Sequence, residues 1–426
     1  MSTPDTARPV TPLVTLLALV LTVLGLAAAA PAGALAQGSS SRAPSLKDAA
    51  SAILVEPATG DIVVGKRIDQ RRAIASTTKM MTALVALDEA SLDDVLTATD
   101  YRPAPVESQI GLRPGERMTV RDLLRGLLLA SGNDAAMTLA TRIGGSRAGF
   151  VRMMNAKARE IGLRNTRFAT PVGLDTPGNY STASDLAKLA LVLRRNDFAR
   201  ATMDMKKATL RSGARERVVR NRNLAVQRYG FVNGVKTGRT SEAGYVLVGS
   251  GSRDGVTVVS VVLGSPSEET RVTDTAALLR YGLGRYRVTR ALETGQALAR
   301  ATLRYRDDER VALVAARGSK RVTRRDERLT TRVLDAPATV DGPLPARTRV
   351  GTIEVRYRGR TVDSVPLVTA TEVAQATATD RLQDFVGRPG TKVLIGALVG
   401  CSLLLLLLRR RISLRGASQR GSTETA

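Results

Sequence analysis

Residues 74–83 read IASTTKMMTA, and this stretch is the strongest indication of the fold. Ser76 is followed three residues later by Lys79, so a helix places the hydroxyl and the amine on one face. A neutral amine can take the proton of that hydroxyl and turn a poor nucleophile into a good one. Taken alone, the pair is also compatible with an ordinary exposed helix start, because serine and lysine are common residues.

The composition restricts which base could act on Ser76. The chain of 426 residues contains no histidine, which excludes Ser-His-Asp and Cys-His arrangements and histidine-bound zinc sites. Its one cysteine, Cys401, leaves no pair for a disulfide and no cysteine-based metal site. A serine enzyme built from this chain therefore needs a lysine as its base.

Two further short motifs follow in the chain, SGN at residues 131–133 and KTG at residues 236–238. SGN alone is compatible with a helix cap and turn, and KTG alone is an unremarkable turn. In the order S-x-x-K, S-D-N and K-T-G, however, these motifs are typical of penicillin-binding proteins and β-lactamases. The middle motif here has glycine in place of aspartate.

The stretches around the motifs extend this likeness. Residues 74–83, 131–136 and 233–238 resemble the serine-type D-alanyl-D-alanine carboxypeptidases, the low-molecular-mass penicillin-binding proteins. Residues 56–60 resemble the first hairpin of that family, and residues 178–183 resemble a stretch between its second and third motifs. The resemblance covers residues 45–285 and continues more faintly to 375.

The resemblance implies an α/β (α+β) penicillin-binding/β-lactamase-like fold, in which an antiparallel sheet has helices on both sides. Local patterns agree, since β-branched runs at 51–55 and 61–64 flank a turn and predict a hairpin. A second hairpin is predicted from residues 246–248 and 256–262, around glycines 249–255. The SGN motif is expected on a loop facing a cleft, and KTG on a strand or at its mouth.

The resemblance also implies acyl transfer without a metal or cofactor. Ser76 would attack the carbonyl of the penultimate D-alanine of a peptidoglycan stem peptide, with Lys79 as general base and its pKa lowered by Lys236. Ser131 would relay a proton to the leaving D-alanine, and Asn133 would contact Lys79 and the substrate amide. Lys236 and Thr237, of the Lys236-Thr237-Gly238 motif, would bind the terminal carboxylate. The backbone N–H groups of Ser76 and Arg239 would form the oxyanion hole.

Both ends of the chain predict a relation to a membrane. Residues 1–36, with an apolar run and Ala34-Leu35-Ala36, predict a cleaved signal peptide, an uncleaved anchor being the alternative. Residues 392–408 predict a transmembrane helix. The arginines that open the basic tail 409–426 predict a cytoplasmic C-terminus, with the body of the protein outside the cell membrane.

Between these ends the chain predicts two domains. Residues 47–286, after a flexible lead at 37–46, are expected to form the catalytic domain. An arginine-rich alternating pattern, which includes 303–306, 312–314 and 348–357, predicts short antiparallel strands in a small β-rich domain at 287–372. Residues 373–391 are expected to form a stalk that is helical in part.

The net charge of +25, from 64 Lys and Arg against 39 Asp and Glu, limits the partners. Only 3% of residues are aromatic and Trp is absent, so stacking platforms for nucleic acid are scarce and no nucleic-acid partner is predicted. The charge indicates contact with anionic lipid headgroups or acidic wall polymers, or only a basic solvated surface. Neither GxGxxG nor GxxxxGK[ST] occurs.

Three other functions remain open on the same residues. β-Lactams are expected to acylate Ser76, and efficient deacylation would make the protein a β-lactamase, but no segment can be assigned the glutamate that class A enzymes use. A wider cleft would give a D,D-endopeptidase acting on cross-linked wall. An inactive fold would leave a wall-binding scaffold.

Overall fold

The computed structural model describes residues 42–420, and the side chains of residues 42–411. The predicted signal peptide, the first half of the flexible lead and the last six residues of the tail lie outside the described residues. The strands that precede residue 286 are β1 (Ser51–Glu56), β2 (Asp61–Lys66), β3 (Val95–Thr97), β4 (Arg117–Thr119), β5 (Lys207–Leu210), β6 (Arg217–Arg220), β7 (Val232–Thr240), β8 (Gly244–Arg253) and β9 (Val256–Ser265). The helices of this part are α1 (Lys79–Glu89), α2 (Val120–Arg125), α3 (Asn133–Ile143), α4 (Arg147–Glu160), α5 (Ala183–Leu193), α6 (Asp197–Asp204), α7 (Leu224–Arg228) and α8 (Glu268–Arg285).

A five-stranded antiparallel sheet organises this part of the described chain, in the order β2-β1-β9-β8-β7. Side chains alternate along β9, so Val258 and Val262 pack towards α8 while Val259 and Val261 pack towards α1, α3 and α5. Both faces are therefore covered by helices, as the sequence predicts. The strand that carries KTG, β7, lies at one edge of the sheet.

The second predicted hairpin has longer strands than expected. Strand β8 continues to Arg253, and the turn consists of Asp254 and Gly255, both with positive φ. Gly249 lies within the strand because α8 packs directly over it, and a Cβ at this position would come within 2.6 Å of Thr275 Cγ2. Gly249 thus permits a close helix–sheet contact, and only the end of the glycine-containing stretch, at Gly255, forms the turn.

After α8 the described chain forms β10 (Tyr286–Leu292), β11 (Ala297–Leu303), β12 (Arg306–Ala315), β13 (Ser319–Arg324), β14 (Thr330–Leu334), β15 (Thr339–Val340), β16 (Arg349–Tyr357) and β17 (Arg360–Thr369). Six of these strands form a sheet in the order β14-β16-β17-β12-β11-β15, and β10 pairs with β13. The short strand β15 runs parallel to β11, so the prediction of antiparallel strands is wrong for this pair. The prediction of a strand at 303–306 is also wrong. Residues 304–305 form the turn between β11 and β12, because the alternating pattern continues through the turn without marking it.

Asp61, at the start of β2, joins the two sheets. Its carboxylate accepts hydrogen bonds from Tyr286 Oη at 2.6 Å and from two nitrogens of Arg358 at 2.6 and 3.0 Å, and Arg324 lies 3.3 Å away. The hydrogen bonds from Arg358 hold the pKa of Asp61 below its usual value although burial opposes this shift. The β-rich part is thus attached to the catalytic sheet by an ionised carboxylate.

Two helices follow the second sheet, α9 (Ala378–Gly387) and α10 (Pro389–Arg420). Helix α9 occupies most of the predicted stalk and begins with a capping box between Thr377 and Asp380. Helix α10 extends beyond the predicted end at residue 408 and includes the arginines that follow. Its residues Pro389–Arg411 are long enough and apolar enough to cross a membrane, and the leucines within this range are exposed.

Candidate active site

Ser76 lies in a 3₁₀ turn, Ala75–Thr78, which leads directly into α1. Gly238 of the KTG motif packs against this turn, and a Cβ at position 238 would come within 2.8 Å of the Ser76 backbone nitrogen. Only glycine allows the edge strand to approach so closely. The backbone N–H groups of Ser76 and Arg239, expected to form an oxyanion hole, are therefore brought to the same place.

Lys79 Nζ lies 2.9 Å from Ser76 Oγ and donates a hydrogen bond to the carbonyl of Val172 at 2.6 Å. Burial lowers the pKa of Lys79 to about 7, and Arg222 adds to the lowering. Glu107 and Asp134 act in the opposite direction. The expectation that Lys236 lowers the pKa of Lys79 is therefore wrong as to the main cause, which is burial. A lysine with this pKa is neutral often enough near pH 7 to accept a proton.

Ser131 and Lys236 form a second close pair. Lys236 Nζ donates to Ser131 Oγ at 2.9 Å and to the carbonyl of Thr237 at 3.0 Å. Ser131 has φ of 64° and follows a π-helical turn at Gly126–Ala130. The pKa of Lys236 is well below its usual value because the side chain is buried and lies near other cations, including Lys79. The three motifs therefore converge on one place.

Asn133 is the first residue of α3, so the expected loop ends at Gly132. Its Nδ2 donates to Glu107 Oε2 at 2.5 Å. Among the residues that the structure describes, no hydrogen bond joins Asn133 to Lys79, and the buried Oδ1 has no partner. The contact expected with Lys79 is thus replaced by a contact with Glu107.

An open cleft of about 250 Å³ lies over Ser76, and it is strongly basic. Ser131, Thr237 and Arg239 line it as predicted, and Arg222 and Arg271 line it unpredicted. Arg271 is buried and donates to the carbonyl of Gly238 at 2.8 Å. In a chain so rich in arginine, nothing in the sequence distinguishes these two from the others.

The loop that precedes β4 is attached to the SGN motif. Asp134, the residue after SGN, accepts hydrogen bonds from the backbone N–H groups of Ile110 and Leu112 at about 3.0 Å. The Asn133 backbone N–H donates to the carbonyl of Ser108 at 2.8 Å. This loop carries Glu107 to Asn133, and the sequence analysis identified neither Glu107 nor its partner Tyr101.

A serine paired with a buried lysine, next to SGN and a KTG edge strand, defines the class of penicillin-binding serine enzymes. A family model described as D-alanyl-D-alanine carboxypeptidase, Peptidase_S11, matches residues 38–267. The chain belongs to this family and is a serine-type carboxypeptidase hydrolase.

Curated relatives agree over most of their length. The chain is 34% identical over 354 residues to D-alanyl-D-alanine carboxypeptidase DacD of Escherichia coli, covering 79% of this chain and 90% of that protein. It is 30% identical over 337 residues to DacF of Bacillus subtilis, covering 77% and 87%.

Solved structures agree as well. Penicillin binding protein 5 of Haemophilus influenzae is similar with a TM-score of 0.58 and 29% identity, over 78% of this chain and all of that chain. The Streptomyces K15 DD-transpeptidase is similar with a TM-score of 0.53 and 35% identity, over 57% of this chain and 98% of that chain. The fold of a low-molecular-mass penicillin-binding protein is therefore shown for this chain.

Proposed function

We propose that this protein removes the terminal D-alanine from peptidoglycan stem peptides through an acyl-enzyme on Ser76. The observation that carries the proposal is the 2.9 Å contact between Ser76 Oγ and Lys79 Nζ, where Lys79 has a pKa of about 7. A nucleophile and a base within hydrogen-bond reach, at the floor of an open cleft, are what acyl transfer requires.

In acylation, Lys79 takes the Ser76 proton while Oγ attacks the carbonyl carbon of the penultimate D-alanine. The C–N bond to the terminal D-alanine then breaks, and Ser131, hydrogen-bonded to Lys236, passes a proton to the leaving amine. The backbone N–H groups of Ser76 and Arg239 stabilise the oxyanion. Water, deprotonated by the same base, attacks the ester and releases a stem peptide shorter by one residue.

The basic cleft suits the carboxylate at the end of such a peptide. Lys236 and Thr237 bind this carboxylate, and Gly238 keeps the strand close enough to Ser76 for the scissile bond to reach Oγ. Arg222 and Arg271 also line the cleft and add positive charge, although Arg271 is paired with Glu268 at 2.6 Å. β-Lactams, which resemble the D-Ala-D-Ala end, acylate Ser76 in the same way.

The apolar helix α10 anchors the protein in the bacterial cell membrane by a single pass. The arginines at 409–411 hold the C-terminal tail in the cytoplasm, and residues 1–36 direct export of the body. The net charge of +25 suits anionic lipid headgroups or wall polymers better than nucleic acid.

The test is D-alanine release from a peptide ending in Lys-D-Ala-D-Ala by the full-length protein in detergent. Ser76→Ala abolishes release, whereas Ser91→Ala, which removes an exposed hydroxyl, leaves it unchanged. Binding of a fluorescent penicillin is measured in parallel. A folded wild-type protein that binds penicillin but releases no D-alanine contradicts the proposal and favours action on cross-linked wall. Rapid turnover of a chromogenic cephalosporin favours a β-lactamase.

A further inference from the structure

Glu107 lies on the loop that Asp134 attaches to the SGN motif, and among the described residues its hydrogen bond to the three motifs is the one from Asn133. Its Oε2 accepts hydrogen bonds from Asn133 Nδ2 and from Tyr101 Oη, both at 2.5 Å. Its Oε1 accepts from the Ala104 backbone N–H at 3.0 Å. We propose that Glu107 is a positioning residue that fixes the side-chain amide of Asn133 for the reaction at Ser76, an inference that rests on the proposed function.

The protonation of Glu107 follows from its surroundings. Burial opposes ionisation, but the hydrogen bonds from Tyr101, Asn133 and Ala104 outweigh it, so the pKa of Glu107 lies below its usual value. An ionised carboxylate only accepts hydrogen bonds. The amide of Asn133 must therefore turn its NH₂ group to Glu107, and the reverse orientation would set two acceptors against each other.

This orientation decides what Asn133 offers on its other side. Asn133 is only 4% exposed, and its Oδ1 is buried without a partner among the described residues. A buried unpaired acceptor is destabilising unless a donor arrives. The amide N–H of a bound peptide and the Lys79 amine are donors of the right kind, so Glu107 keeps an acceptor ready for the substrate complex.

The same geometry argues against Glu107 as the base that activates water for deacylation. Both of its oxygens are occupied by protein donors, and it does not line the cleft over Ser76. Glu107 is thus not a counterpart of the glutamate that class A β-lactamases use for deacylation. Its effect on the reaction passes through Asn133 and through its charge.

The charge of Glu107 acts on Lys79. Glu107 and Asp134 raise the pKa of Lys79, whereas Arg222 lowers it, and the buried amine of Lys236, whose own pKa is lowered, lies nearby. Acylation needs neutral Lys79, so its rate falls as the pH drops through the Lys79 pKa. Removing the negative charge of Glu107 lowers that pKa, and the acid limb of the pH profile must move to lower pH.

The experiment compares Glu107→Gln with Glu107→Asp and with Glu89→Gln, an exposed glutamate on α1. D-alanine release and the rate of acylation by a fluorescent penicillin are measured from pH 5 to 9 on full-length protein. For Glu107→Gln we expect a fall in kcat/KM of roughly tenfold to hundredfold, together with the shift of the acid limb to lower pH. Glu107→Asp keeps the charge, so its acid limb stays in place while its rate falls less, and Glu89→Gln matches wild type.

Two results would overturn the inference. One is a folded Glu107→Gln whose rate stays within twofold of wild type. The other is a reduced rate with an unmoved acid limb, which would mean that Glu107 only supports the loop. If Glu107→Gln does not fold, Glu107→Asp and Tyr101→Phe carry the test, because both keep the charge and weaken its hold on the amide. The penicillin arm tests Glu107 even if wild type releases no D-alanine.

Discussion

Around the five-stranded sheet, two lysines are buried close together, and burial is the main cause of their lowered pKa values. Among the described residues, no carboxylate hydrogen-bonds directly to either amine. Around the six-stranded sheet, the buried carboxylate of Asp363 is met by Arg317 at 2.8 Å, Arg321 at 2.9 Å and Ser319 at 2.6 Å. The hydrogen bonds from Arg317 hold the pKa of Asp363 well below its usual range.

The two regions differ in whether a buried ionisable group has partners of opposite charge. A buried charge with several partners is compatible with a stable fold, whereas a buried amine without a counter-ion is destabilising in its charged form, and its neutral form can accept a proton. The paired carboxylate of Asp363 therefore has a structural role, whereas the two buried lysines without a directly paired carboxylate mark the place of the chemistry. Three substitutions test this contrast between the two regions.

The largest effect is expected for Lys79→Arg. Arginine stays protonated, so it cannot serve as base, and acylation by a fluorescent penicillin should slow by about 10²–10⁴-fold. Stopped-flow or quenched acylation at pH 8 measures the rate. Lys320→Arg, on the exposed side of β13, is the matched control and should leave the rate unchanged. An Lys79→Arg rate within tenfold of wild type would assign the base to another group.

Gly238→Ala should have the next largest effect on chemistry. The added Cβ would lie 2.8 Å from the Ser76 nitrogen, the Ala75 Cβ and the Val246 Cγ2, so the KTG strand must move away from Ser76. A displacement of this kind costs roughly 10²-fold in acylation rate. Gly230→Ala is the control because a Cβ there meets nothing within 4 Å. Equal rates for the two variants would show that close approach of the strand does not matter.

The smallest effect on activity, and the clearest on stability, is expected for Asp61→Asn. The carboxylate loses its charge-assisted bonds to Arg358 and Arg324, and the free energy of unfolding should fall by about 1–3 kcal/mol. Thermal unfolding measures the loss, and D-alanine release should stay within about twofold of wild type. Asp69→Asn removes an exposed carboxylate without these partners and controls for charge. A large loss of activity in Asp61→Asn would mean that the second sheet shapes the cleft.

The sequence predicts the parts of the molecule that depend on local patterns. Ser76 and Lys79, three residues apart, are brought together by a helical turn, and the β-branched runs predict the β1–β2 and β8–β9 hairpins. The sheet covered by helices on both faces is what the resemblance to the family implies. Gly249 misled the interpretation because glycine is found both in turns and beneath closely packed helices. The capping box formed by Thr377 and Asp380 is a sequence pattern typical of a helix start, and it marks the beginning of α9.

The rest of the site depends on contacts between distant segments. Glu107 meets Asn133 across 26 positions, and Arg217 meets Glu116 across 101 positions, with no motif at either end. Burial lowers the pKa of Lys79. The extent of this burial depends on the elements packed around the side chain, which the sequence near Lys79 does not reveal. The roles of Ser131, Asn133 and Thr237 remain predictions that kinetics must test.

Helices α9 and α10 are separated by a single residue, Arg388. Arg381 stacks on Tyr305 of the β11–β12 turn at 5.6 Å, so α9 is held against the second sheet. If α10 spans the membrane as proposed, this short connection keeps the rest of the protein close to the lipid surface. The effective concentration of the enzyme would then be higher for substrates near the membrane than for those in outer layers of the wall. The architecture of the protein thus determines which part of the wall the enzyme can reach, as well as which substrates it accepts.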